Sequence, residues 1–105
     1  MSVQDSILSS IKLRTSKNPI MSFELEKSYG IPGTEVRNII RALRRDGYPI
    51  AHCSVGYYYA RTSDEIDSTA SDLENRAKSL FETASKMRSY FNRNLQKQEG
   101  SLFDA

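Results

Sequence analysis

The chain has 105 residues, 15 Lys/Arg against 13 Asp/Glu, and a net charge of +2, which leaves room for one small domain with an appendage and none for a second, enzyme-sized domain. A single cysteine, Cys53, excludes an internal disulfide, and with the only histidine, His52, it supplies too few ligands for a metal centre, so no metal and no cofactor are expected. No apolar run reaches membrane-spanning length and no signal-peptide pattern is present, which points to a reducing cytoplasm and away from a membrane partner.

Val3, Ile7, Leu8 and Ile11 share one helical face behind Ser2, a ready cap, so a first helix with a structural role is expected over residues 3–13. Residues 15–18 are polar and loop-like. Pro19-Ile20-Met21 suits a short strand that pairs with a later hairpin. Ser22 is expected to cap a second helix over residues 23–29, where Glu24 and Glu26 favour the positive end and Gly30 stops the run. After a turn at residues 30–33, a third helix is expected over residues 34–46, capped by Thr34 and stopped at Asp46-Gly47.

Val36, Ile39, Ile40 and Leu43 follow the i, i+3, i+4, i+7 spacing of a single buried stripe on that third helix. Arg37, Asn38, Arg41, Arg44 and Arg45 then fall largely on the solvent side, where guanidinium groups meet phosphates and guanine edges and an amide pairs with adenine. Residues 50–54 can run extended, Val55-Gly56 can turn, and residues 57–60 are rich in strand formers, so a two-strand hairpin follows the helix. Alternation sends Tyr57 and Tyr59 to the core and leaves Tyr58 exposed, a contact candidate beside His52.

This order of elements resembles the winged helix-turn-helix at the start of biotin-repressor-type regulators. The family pattern of Leu-Arg, a glycine shortly after, an isoleucine opening the hairpin and Gly-Tyr on its return strand is met here by Leu43-Arg44, Gly47, Ile50 and Gly56-Tyr57. The likeness covers roughly the first 60 residues, about one such domain. It implies double-stranded DNA as partner, with the third helix in a groove and the hairpin as a wing, in a protein of bacterial or phage origin. One departure is that the family often opens its recognition helix with Ser-Arg, whereas this chain has Gly33-Thr34-Glu35, which sets a negative charge where a phosphate passes. Charge distribution adds a mild pointer to nucleic acid: residues 1–62 hold nine Lys/Arg against five Asp/Glu, and residues 63–105 hold six against eight.

From Ser63 the pattern changes. No proline follows, no glycine precedes Gly100, and Asp64, Glu65 and Asp67 cluster where a helix would begin. A helix over residues 63–98, roughly 50 Å long at 1.5 Å per residue, is expected. Its apolar positions Ile66, Ala70, Leu73, Ala77, Leu80, Ala84, Met87 and Phe91 alternate steps of four and three, a heptad seam with one large and one mostly alanine column. Such a seam suits a homodimer; the competing expectation is that it packs on its own chain or on a different protein. The sequence leaves parallel and antiparallel pairing open.

Residues 99–105 are expected to leave the helix at Gly100 as a flexible tail. This ending resembles the short peptide with which bacterial replication and repair proteins dock on the polymerase sliding clamp. Gln98, Ser101, Leu102 and Phe103 carry the likeness, with Leu102 and Phe103 as anchors, although Gln98 stands one residue further from Leu-Phe than the commonest spacing. The tail reading competes with an unstructured or self-packed end.

No nucleophile with its base, paired carboxylates or Gly-rich phosphate loop is recognisable, so an enzyme is not expected. The expected architecture is α+β and mainly helical, a winged helix-turn-helix over residues 1–62 followed by a long coiled-coil C-terminal helix. The expected role is a small DNA-binding regulator or replication accessory; the alternative is an adaptor or inhibitor that acts through the long helix or the tail.

Overall fold

A computed structural model describes the backbone of residues 2–103 and the side chains of residues 2–95. The element order is α1 (Val3–Lys12), α2 (Ser22–Tyr29), α3 (Gly33–Arg45), β1 (Ile50–His52), β2 (Tyr57–Tyr59) and α4 (Ser63–Phe103). The protein is mainly helical with one small antiparallel sheet. It divides after Ala70 into two compact units, so the first two turns of α4 group with the N-terminal unit.

α1 starts where Ser2 accepts a hydrogen bond from the Asp5 amide at 3.1 Å, as its position before an apolar repeat requires. Ile7, Leu8 and Ile11 bury that repeat, whereas Val3 in the first turn is exposed. The caps of α2 and α3 differ from expectation. Ser22 is already helical behind Met21, and α3 begins at Gly33 behind Pro32, so neither Ser22 nor Thr34 caps by its side chain. In both places the carbonyl of the extended preceding residue accepts from the third and fourth amides of the helix: Met21 O receives Glu24 and Leu25, and Pro32 O receives Glu35 and Val36. Gly30 at φ 62° closes α2 in the left-handed region, and the chain turns into α3 within residues 30–32.

Val36, Ile40 and Leu43 of α3 join Ile7, Ile11, Leu25 and Ile50 in one core. Tyr29 links two helices across it: its hydroxyl lies 2.7 Å from Ser10 Oγ and donates to the Ser6 carbonyl at 3.2 Å. The hairpin pairs Ile50 with Tyr59, Ala51 with Tyr58 and His52 with Tyr57. The expected first strand shrinks to a single antiparallel bridge, in which Ile20 and Tyr57 exchange two backbone hydrogen bonds of 2.8 Å.

Gly56 has a different role from the one expected. Cys53 N donates to Gly56 O at 2.9 Å, so Ser54 and Val55 form the turn, and Gly56 does not have a positive φ. A methyl group built on Gly56 would overlap the Ile20 carbonyl oxygen and lie 2.6 Å from its carbon. The glycine is there because two backbone segments cross.

Tyr58 is the clearest reversal. It is only 7% exposed, packed with Ala51 and Ala60 against Ile66 of α4, while Tyr57 and Tyr59 are half-buried against the main core. Alternation holds, but both faces of the hairpin are covered, because the opening turns of α4 lie on the face left for solvent by a two-layer reading. The same packing gives Thr69, the only buried polar side chain among the described residues, a partner in the His52 amide at 3.1 Å. Burial raises the Tyr58 phenol above the usual tyrosine value, and the charges of Glu65 and Cys53 act in the same direction.

α4 begins with reciprocal capping. Thr62 Oγ1 accepts from the Glu65 amide at 3.2 Å, and Glu65 Oε1 accepts from the Arg61 amide at 2.8 Å. Arg61 also donates to the carbonyls of Lys12, Arg14 and Tyr59, tying the end of α1 to β2. The Arg61 amide, followed by a Ser16 hydrogen bond, holds the Glu65 carboxyl below the usual glutamate range. Because the folded value is depressed, its contribution is complete above the unfolded pKa and is lost as pH falls through the folded value. An NMR titration should find Glu65 titrating lower than an unstructured glutamate, and Glu65→Gln should remove that part of the acid-side stability loss. An unshifted Glu65 would contradict the capping geometry.

Downstream of Ala70, α4 is continuous through Phe103, so the expected exit at Gly100 and flexible tail over residues 99–103 are replaced by helix. One internal glycine costs only about 1 kcal/mol relative to alanine, too little to stop a helix without a following breaker. The side chains of Gln98, Ser101, Leu102 and Phe103, on which the clamp likeness rests, and residues 104 and 105 lie outside the described residues. No helix among the described residues is long and apolar enough to cross a membrane.

Candidate functional site

The outer face of α3 carries the densest group of exposed cationic side chains on a single short helix. Thr34, Arg37, Asn38, Arg41 and Arg45 are all exposed and follow helical spacing, directly opposite the buried Val36, Ile40 and Leu43. Arg41 donates to Asn38 Oδ1 at 3.2 Å, a surface contact that a stronger acceptor can displace. Core burial on one side thus presents three guanidinium groups and an amide on the other.

Arg44 is not part of that face. It is half-buried, its Nε donates to the Ile50 carbonyl at 2.9 Å, and its Nη2 lies 3.0 Å from His52 Nδ1. Guanidinium has donors only, so the histidine Nδ1 accepts and the ring proton sits on Nε2. The same guanidinium lies 5.9 Å from the Tyr57 ring centroid. Arg44 therefore locks α3 to the hairpin, and His52 is engaged in that lock. Helical spacing placed Arg44 at the edge of the polar face; the direction of the hairpin decided which way it turned. Tyr58, buried under α4, is withdrawn as a contact residue for the reason given above.

The N-terminal end of α3 is acidic. A methyl group on Gly33 would come within 3.2 Å of Glu26 Oε1, and Glu35 stands exposed in the first turn. A carboxylate beside a helix N-terminus is favourable for the helix and repels a phosphate from the same amides. Any polyanion on this surface must meet Arg37, Arg41 and Arg45 along the helix rather than its start.

Cys53 is an exposed free thiol. No group of three or more His, Cys, Asp or Glu side chains arranged to hold a metal occurs among the described residues. Sequence reasoning missed Arg61 and Thr69. The Thr62-x-x-Glu65 pattern was a legible cap signal; the carbonyls that Arg61 reaches come from α1 and β2, and only folding brings them together.

Comparison with protein-family models, curated proteins and solved structures finds no match to this chain. The functional reading therefore rests on the chemistry of these surfaces.

Proposed function

We propose that the N-terminal unit is a winged helix-turn-helix that binds double-stranded DNA, with α3 as the recognition helix, in a non-catalytic regulator or replication accessory. The observation that carries this reading is the exposed line of Thr34, Arg37, Asn38, Arg41 and Arg45 opposite the core stripe of α3. It is supported by the short turn with a left-handed glycine between α2 and α3, the usual link of this motif. Guanidinium groups spaced along such a helix neutralise backbone phosphates and read guanine edges, and Asn38 is suited to adenine.

Titration with duplex DNA tests it. Binding should weaken steeply with salt, and the pair Arg41→Ala and Arg45→Ala should reduce the salt slope by about 2 while leaving the unfolding midpoint nearly unchanged. Arg44→Ala should instead lower stability, since its hydrogen bonds are internal. A wild type that shows no duplex binding at low salt would eliminate the proposal.

A second reading has its own observation. Leu80, Phe81, Met87, Tyr90 and Phe91 are each more than 60% exposed on α4, a surface that suits protein contact, in an adaptor or alongside DNA binding. The sliding-clamp likeness of residues 98–103 belongs to the same alternative.

A further inference from the structure

We propose that α4 pairs antiparallel with α4 of a second copy of this chain, in a register centred on Glu82. The inference rests on the second reading above, that protein covers this face, and is independent of DNA binding. Ile66 of the heptad seam is half-buried on its own chain against Tyr58, so the available seam starts at Leu73. There the large column is open, with Leu80 70% and Met87 66% exposed.

The pattern of sizes decides direction. A parallel in-register pair would stack alanine on alanine at residues 77 and 84 and leucine or methionine on itself at residues 80 and 87. One axis spacing cannot satisfy both kinds of layer, and the alanine layers would hold voids. Antiparallel pairing sets each alanine against a large residue: Ala77 against Met87 of the second copy, and Leu80 against its Ala84. Four successive layers then have similar thickness, and Leu73 meets Phe91 at either end, where helices can spread.

Charge complementarity selects the same register. In an antiparallel pair, positions flanking one side of the seam face their own kind. Glu74 therefore faces Arg88 of the second copy, twice by symmetry, and Phe81 meets Phe81 at the twofold axis. On the other flank Arg76 faces Tyr90, a cation and a ring. In the parallel alternative Glu74 faces Thr69 and Arg88 faces Thr83, with no charge pair formed. Flanking charges are the usual determinants of orientation in helix pairs.

The test uses the full chain with Cys53→Ser, so that one introduced thiol is labelled. Light scattering should find a dimer at micromolar concentration, and Leu80→Asp should abolish it. A spin label on Ser71→Cys, an exposed position off the seam, should report about 33 Å of axial separation, 22 residues at 1.5 Å each, against under about 20 Å for parallel helices. Glu74→Arg and Arg88→Glu should each weaken association about ten-fold and together restore most of it. A monomer throughout would overturn the pairing, and the protein-contact reading would then stand only with a different protein as the partner. A dimer with the short distance, or a double variant no better than the worse single one, would overturn the antiparallel register while leaving that reading standing.

Discussion

Gly56→Ala should destabilise the N-terminal unit by about 3 kcal/mol, the upper range for forced overpacking, and lower the unfolding midpoint by roughly 10–20 °C. The added methyl meets backbone that cannot step aside. It would lie 2.6 Å from the Ile20 carbonyl carbon and 3.0 Å from Met21 Cα, and Ile20 is held by two 2.8 Å hydrogen bonds to Tyr57, the residue after Gly56. Relief requires separating the bridge that joins the 19–21 segment to the hairpin. Gly47→Ala is the control, since Gly47 has φ 100° with nothing within 4 Å of an added methyl; it should cost about 1–2 kcal/mol from backbone strain alone. If thermal denaturation by circular dichroism shows Gly56→Ala as stable as wild type, the crossing is misplaced.

Ile40→Ala should cost about 3 kcal/mol, within the range for removing a large buried aliphatic side chain. Ile40 is 2% exposed in the stripe that fastens α3 to the core, so its truncation leaves a cavity between α3 and the elements around it. Such a loss is a large fraction of the 5–15 kcal/mol typical of a small domain. DNA affinity should fall only as far as the folded population falls, whereas Arg41→Ala, the next residue in sequence but on the exposed face, should do the reverse. Urea denaturation and duplex titration of both variants measure this. Equal effects of the two substitutions on stability would show that the two faces of α3 are not separated as described.

Much of the candidate surface was legible because α3 is strongly amphipathic. Val36, Ile40 and Leu43 could only face inward, which sent Arg37, Asn38, Arg41 and Arg45 outward without further information. Arg44 was not legible in this way. A residue at the boundary between faces turns toward whichever acceptors arrive, and the Ile50 carbonyl and His52 ring come from a strand whose path no helical pattern specifies. Thr34 failed as a cap for a more local reason: the helix starts at Gly33 behind an extended Pro32, two residues before the side-chain signal suggested, so Thr34 already lies inside the first turn.

Apart from the first strand, which is reduced to a bridge, the order of the elements, the stripe of α3, the stops at Gly30 and Asp46-Gly47 and the start of α4 at Ser63 were determined by the sequence alone, because each depends on short-range spacing, backbone permissiveness or capping. Tertiary structure decided the rest. Whether the second face of the hairpin is wet or dry depends on where α4 lies after Thr62, and its position buried Tyr58, gave Thr69 a partner and withdrew Ile66 from the open seam. The crossing that demands Gly56 joins segments more than 30 residues apart, and the carbonyls gathered by Arg61 lie up to 49 residues away. Contacts at that separation depend on how already formed elements pack against one another, and a periodic pattern within one element carries no information about them.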